Sequence, residues 1–306
     1  MHTQTASASE RRARLASSLH VAIGLGLYLL TLAGEVGLGA GVRWLLTYLG
    51  ASALGILASP GPSAEQLAWF AAFAPLAWSL LGLLFPGRGG LWSRRLGARR
   101  ASADEATAID AAIELLRASD PTLLDPRAVY VLDDPLPLAA ARGEAVLLSR
   151  GLLEFDSLPA ALAHELGHID SLDGRLTEAL ERLALWGDPL APPGPQRRGE
   201  ERIDSPAREG GLLLGCIRWL LRAAGGTLAQ DLLSPLWASY WRAREYAADA
   251  YAASLGQATD LARHLCEQEL PFDVPRRRFP LNRAEHPPVA LRIERLQAVA
   301  GAEVSK

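Results

Sequence analysis

Lysine is almost absent from this chain of 306 residues: Lys306 is the only one, and the other side chains counted among its 31 basic residues are arginines. There is no excess of positive charge either. The formal net charge is −3, which removes the general electrostatic case for nucleic-acid binding. Cysteine is scarce, with Cys216 and Cys266 lying in separate helical patterns. They suggest neither a disulfide framework nor a metal-ligand pair. No internal repeat is evident, and only six histidines are present.

Apolar residues, by contrast, are abundant. Hydrophobic side chains make up 49 % of the chain and its mean hydropathy is +0.09, high for a purely soluble protein. The length leaves room for one large domain plus a membrane segment. The Ala-, Leu- and Arg-heavy composition points to a high-GC bacterial genome.

The apolar residues gather in three stretches. Leu67 to Phe85 runs for 19 residues without a charge, between Glu65 and Arg88. As a helix it spans about 29 Å, close to the thickness of a bilayer's hydrocarbon core. Pro75 inside it is tolerable in a membrane helix. A second stretch runs from Ala16 to Gly34 and ends at Glu35. A third, Trp44 to Ala58, follows Arg43; it extends the first pair, lies at the interface or forms a re-entrant turn. Arg11, Arg12 and Arg14 precede the first span, and Arg88, Arg94, Arg95, Arg99 and Arg100 follow the last. The positive-inside rule then places both ends in the cytoplasm, with an even number of spans, most simply two, at about 16–34 and 67–85. The expected organisation is a membrane region over 1–94 and a second domain over 95–306. The expected location is the inner (cytoplasmic) membrane, with the second domain on the cytoplasmic side.

Chemistry enters at His164-Glu165-Leu166-Gly167-His168, an H-E-x-x-H motif in an apolar frame. Helical residues four apart share a face, so both imidazoles can grip one ion. Glu165 can then reach a water bound to that ion, the arrangement of a zinc hydrolase. The third ligand is less plain. The metzincin pattern H-x-x-G-x-x-H fails, because Ser171 and Gly174 occupy the required positions. A nearby Glu with an Asp four residues later also fails, since Glu178 and Glu181 are followed at that offset by Arg182 and Leu185. A distant helix offers Glu245 with Asp249 one turn later. Glu245 would complete a His-His-Glu site, and Asp249 could accept a hydrogen bond from a ligand imidazole. Taken without the first motif, that segment reads better as an amphipathic helix with exposed Glu and Arg and a solvated Asp249.

Other signals set the frame. Ser102-Ala103-Asp104-Glu105 reads as a capping box opening a helix through about Ala118. Ala128 to Leu132 and Ala145 to Leu148 are strand candidates joined by a turn containing Pro and Gly. Ser157, with Pro159 just after it, opens the helix carrying the motif. Gly187 to Glu209, rich in Pro, Gly and charge, reads as a solvated loop, either linker or lid. Gly211 to Gly225 reads as a helix against the core or the membrane surface, with a further span as the alternative. His20 is expected at the interface and His264 on a helix surface.

Three motifs occur in order: Ala-His-Glu-Leu-Gly-His-Ile at 163–169, Arg-Glu-Tyr-Ala-Ala-Asp-Ala at 244–250, and Glu-His-Pro-Pro at 285–288 followed by Arg292-Ile293. Together with the strand region 129–154, they resemble the membrane metallopeptidases that include HtpX and the CAAX prenyl proteases, over roughly 95–300. The resemblance implies one zinc held by His164, His168 and Glu245, with Glu165 activating water and Asp249 behind a ligand. It also implies a place near the metal for His286, as oxyanion donor or as a cap on the open position; the residue reads equally as a helix flank with no chemistry. Leu138, Ala139 and Ala140 stand where the family carries Asn-Ala-Phe on its substrate-binding edge, which leaves substrate preference open. The fold class expected is mainly α with a small β-sheet, an α+β zincin-like domain behind an N-terminal transmembrane helical region. The activity expected is that of a gluzincin-type zinc endopeptidase acting on protein or peptide substrates beside the lipid bilayer. A prenyl-protein-type protease and a non-enzymatic zinc-binding sensor or scaffold are the alternatives.

Overall fold

Ala- and Leu-rich windows with capped ends favour helices, and helices dominate the computed structural model, which describes residues 8–53, 63–85, 93, 96–171, 173–184, 228–269 and 286–304. The segments Gly187–Glu209 and Gly211–Gly225 lie outside these residues, as do Arg88, Arg94 and Arg95.

Helix α1 (Ala8–Gly34) does not stop at Glu35. It continues through a π-helical turn, Glu35–Ala40, into α2 (Gly41–Ala53). The described part of the stretch beginning at Trp44 is therefore helical and continuous with the first apolar helix. Helix α3 (Ala64–Leu84) starts at a complete capping box, Ser63 with Gln66. Ser18–Ser52 and Ala64–Leu84 are both long and apolar enough to cross a membrane. Their outer faces expose Leu19, Leu29, Leu30, Phe70, Phe73 and Leu84.

Polar groups lie on the inner faces. Glu35 and Arg43 are buried and paired at 3.5 Å. Arg43 also donates from Nε and Nη2 to the Ala72 carbonyl at 3.2 and 3.0 Å. The partner sits beside Pro75, whose ring disrupts the helical bonding one turn earlier. The guanidinium thereby ties α2 to α3.

The following domain opens with β1 (Arg99–Arg100) and α4 (Ala103–Ser119), whose expected capping box is formed by Ser102 and Glu105. Strands β2 (Ala128–Leu132), β3 (Ala139–Arg142) and β4 (Ala145–Ser149) complete a four-stranded sheet of order β1-β2-β4-β3. The sequence reading joined 128–132 and 145–148 by a simple turn, and this is corrected. The two strands pair in parallel, Ala128 opposite Ala145, which a tight turn cannot connect. The intervening residues instead supply β3, which folds back antiparallel to β4 as the edge strand. Strand β4 is buried throughout, which accounts for its unbroken apolar run.

A short α5 (Arg150–Leu153) leads to α6 (Leu158–Asp170), the helix carrying the motif, then α7 (Asp173–Ala184), α8 (Leu228–Ser254), α9 (Ala258–His264) and α10 (Val289–Val304). The main core lies between α4, the sheet, α6, α9 and α10, around Ile109, Leu116, Val131, Leu148, Leu162 and Leu261. A second core joins the apolar helices to α7 and α8 through Tyr28, Leu176, Ala179, Trp237 and Tyr240. Across the same seam Tyr28 Oη meets Ser79 Oγ at 2.9 Å, and Ser79 Oγ donates to the Ala179 carbonyl at 2.6 Å. His264 is buried rather than on a helix surface, with Nδ1 2.9 Å from Ser157 Oγ. It thus pins α9 to the start of α6.

Candidate metal centre

Helix α6 is buried along Ala160–Gly167, so its polar motif residues need partners inside the protein. They find them on α8. A β-carbon added at Gly167 would lie only 3.1 Å from Ala248 Cα and from Tyr251 Cβ. This close approach brings a short carboxylate on α8 within reach of both imidazoles.

One ligand atom each from His164, His168 and Glu245 lie within 4.8 Å of one another. His164 Nε2 is 3.6 Å from Glu245 Oε2, and His168 Nε2 is 3.5 Å from Glu245 Oε1. Ligands of a tetrahedral zinc, each ~2.0–2.2 Å from the ion, sit about 3.4 Å apart. The donor set, its spacing and its burial therefore fit one zinc ion. Glu165 is buried next to His164 on the same helix, and its charge contributes to holding a proton on His168.

The far nitrogen of each imidazole faces an aspartate. His164 Nδ1 is 3.0 Å from Asp249 Oδ1, the expected pairing. His168 Nδ1 is 3.4 Å from Asp173 Oδ2. Once Nε2 gives up its proton, an Nδ1–H directed at a carboxylate leaves the Nε2 lone pair facing the cluster, the tautomer a metal needs.

Each aspartate has its own arginine. Arg292 on α10 grips Asp249 with Nε and Nη2 at 2.9 and 2.7 Å, and its Nη1 is 3.3 Å from Glu245 Oε2. Arg244 on α8 donates from Nε to Asp173 Oδ2 at 2.7 Å. Ser171 Oγ and Tyr240 Oη also donate to Asp173, at 2.7 and 3.0 Å.

Electrostatics follow from these contacts. Burial alone would pull the His164 imidazole down, but its bonds to Asp249 and Glu245 outweigh this and leave it pushed up to about 9. His168 behaves likewise, with Asp173 and Glu245 lifting it to about 10 against burial. Burial would raise the Glu245 carboxyl, but the two imidazoles and His286 hold it well below the usual range. Asp249 is lowered by Arg292 and His164, again against burial.

His286 reaches the same carboxylate, its Nδ1 3.2 Å from Glu245 Oε1, while its side chain is 62 % exposed. It thus lies at the rim of the cluster. Ala139 and Ala140 open the edge strand β3, with Leu138 immediately before it, and β3 packs against α6. The sequence reading missed Asp173, Arg244 and Tyr240. Asp173 carried a weak signal as an acid one turn beyond His168, opening the next helix.

A buried two-histidine, one-glutamate cluster with a second carboxylate beside it could hold a metal ion, and it has the residue types that a metal-dependent hydrolase uses. Residues 104–300 match peptidase family M48, and the chain belongs to that family. It is 34 % identical to a protease HtpX homolog from Acidiphilium cryptum (strain JF-5), over 60 % of this chain and 71 % of that protein. It is also similar to the crystal structure of Ste24p from S. mikatae, with 17 % identity, a TM-score of 0.44 and coverage of 95 % of this chain. The chain spans 66 % of that protein's length, just under two thirds.

Proposed function

We propose that this peptidase is a membrane-anchored, zinc-dependent endopeptidase, with a metal-binding domain over 95–306 behind a membrane region over 1–94. The observation that carries the reading is the gathering of His164, His168 and Glu245 ligand atoms within 4.8 Å around a helix that also buries Glu165. His164, His168 and Glu245 hold the ion, and Asp249 and Asp173 fix the imidazoles behind it. A zinc ion so bound supplies Lewis acidity towards water and the peptide carbonyl.

The chain's own residues do the rest. Glu165 takes a proton from the attacking water and delivers it to the leaving amine. His286, at the rim, donates to the oxyanion that develops on the carbonyl. The substrate lies extended along β3, pairing with its backbone near Leu138, Ala139 and Ala140. Small side chains there read shape more than sequence, which favours broad specificity. The exposed apolar faces of α1 to α3 call for lipid around them, which supports a site beside the membrane, and the arginine clusters flanking the spans favour its cytoplasmic side. Membrane-associated or misfolded proteins are then the natural substrates.

The test separates metal from chemistry. Purified Glu165→Gln protein is expected to keep its zinc, measured by metal analysis, and to lose peptide cleavage by at least about a hundredfold. His164→Ala and Glu245→Ala should lose the zinc itself. Cleavage by Glu165→Gln at the parent rate would sink the mechanism.

A further inference from the structure

The carboxylate of Asp173 is held from both sides, by different parts of the molecule. Its Oδ2 faces Arg244 Nε at 2.7 Å, Ser171 Oγ at 2.7 Å and His168 Nδ1 at 3.4 Å. Its Oδ1 accepts from Tyr240 Oη at 3.0 Å. A carboxylate anchored at one oxygen can still rotate. Anchored at both, it fixes the direction in which it receives the imidazole N–H.

Tyr240 is buried between Trp237 and Trp241, with ring centroids 5.7 and 5.0 Å away. Its hydroxyl end lies against α1, the first apolar helix. A β-carbon at Gly24 would stand 2.5 Å from Tyr240 Oη and 2.8 Å from Leu176 Cδ1. Only a residue without a β-carbon leaves that hydroxyl where it meets Asp173. Two helical turns further along α1, Thr31 accepts a hydrogen bond from Trp237 Nε1 at 3.0 Å. Thus α1 and α8 approach closely at Gly24 and are hydrogen-bonded at Thr31 on the same face, and that bond keeps Gly24 in register with Tyr240. The other imidazole is backed differently: Asp249, behind His164, is gripped by Arg292 from α10.

We propose that Tyr240 is a positioning residue for His168, acting through Asp173, and that Gly24 of the first apolar helix sets its place. The metal centre is then built partly on the membrane region: a shift of α1 against α8 reaches one ligand through a single hydroxyl. This rests on the zinc reading above.

The experiment uses the full chain in detergent micelles, loaded with zinc and, separately, with cobalt as a spectroscopic substitute. Tyr240→Phe removes one oxygen and keeps the ring. It is expected to lose zinc to a chelator about tenfold faster than the parent and to alter the cobalt absorption spectrum. Tyr28→Phe removes the neighbouring bond to Ser79 at the same seam. It should lower Tm and leave metal release and spectrum unchanged. Gly24→Ala should speed zinc release in the parent and add nothing further in a Tyr240→Phe background. Zinc release from Tyr240→Phe at the parent rate overturns the relay, as does an equal effect from Tyr28→Phe. A parent protein that binds no zinc would instead overturn the metal reading itself.

Discussion

At Arg292 one guanidinium serves two carboxylates, Asp249 and Glu245, and all three side chains are buried. Removing it leaves buried negative charge without its partner, a change that costs about 3–5 kcal/mol. Arg292→Gln should lower Tm markedly in thermal melts and weaken zinc retention, whereas Asp249→Asn, which removes charge as well as a bond, should cost less stability.

The two imidazoles give a pH prediction with a definite sign. In the metal-free protein His164 and His168 sit at about 9 and about 10, above the ordinary value near 6.5. The stability they contribute is complete below about 6.5 and is lost as pH rises through 9 to 10. Zinc requires both rings neutral on Nε2, so binding near neutrality must release protons, and apparent zinc affinity should rise with pH by up to about two decades per unit. Competition titrations at several pH values, with proton release followed in weak buffer, check this; a flat affinity would contradict it. At this scale the motif was legible, because i and i+4 on one helix need no tertiary information. Asp249 was legible by the same rule applied to α8. Asp173 was not, since its contact with His168 crosses a helix end and its partners Arg244 and Tyr240 come from a segment more than sixty residues away.

Between elements, spacing decides what the site can do. Helices α6 and α8 meet where Gly167 faces Ala248 and Tyr251, and small residues at such a contact set how near two helices can come. Gly167→Val would push them apart and should abolish zinc binding, measured by metal content, even where the protein remains folded by circular dichroism.

The edge strand makes a separate prediction. Leu138 O accepts from Ser149 N at 2.8 Å, and strand residues alternate the side to which their N–H and C=O point. Ala139 and Ala141 therefore aim theirs away from β4, where an extended substrate would pair. Ala141→Pro deletes one outward donor without breaking the ladder. It should reduce kcat/KM on peptides by about tenfold, roughly one hydrogen bond, with zinc content unchanged. This strand was visible in the sequence only as a place in a resemblance. Its alanines carry no β-propensity, and its register comes from β4. The parallel pairing of β2 with β4 was hidden for a related reason: local turn residues between two strands do not reveal whether the chain inserts a third.

For the whole molecule the question is which side of the membrane the site faces. The long apolar helices were legible because lipid demands length and composition alone, whereas their inner-face ties to α7 and α8 depend on single residues such as Tyr28, Ser79 and Thr31 that no periodicity marks. Orientation rests on arginine: clusters before Ala16 and after Phe85, with only Arg43 between them. Arg43 is moreover buried against Glu35 and the Ala72 carbonyl, so it serves packing and takes no part in the count of flanking charge. The asymmetry is thus sharper than sequence alone implies. Both termini, and the metal centre with the C-terminal one, are expected in the cytoplasm. Cys266, exposed on the turn after α9, reports on this directly. In a Cys216→Ser protein it is the only thiol left. A membrane-impermeant maleimide should label it in inside-out vesicles and leave it unlabelled in intact spheroplasts until detergent is added. Labelling in intact spheroplasts would put the peptidase site on the opposite face, and with it a different set of substrates.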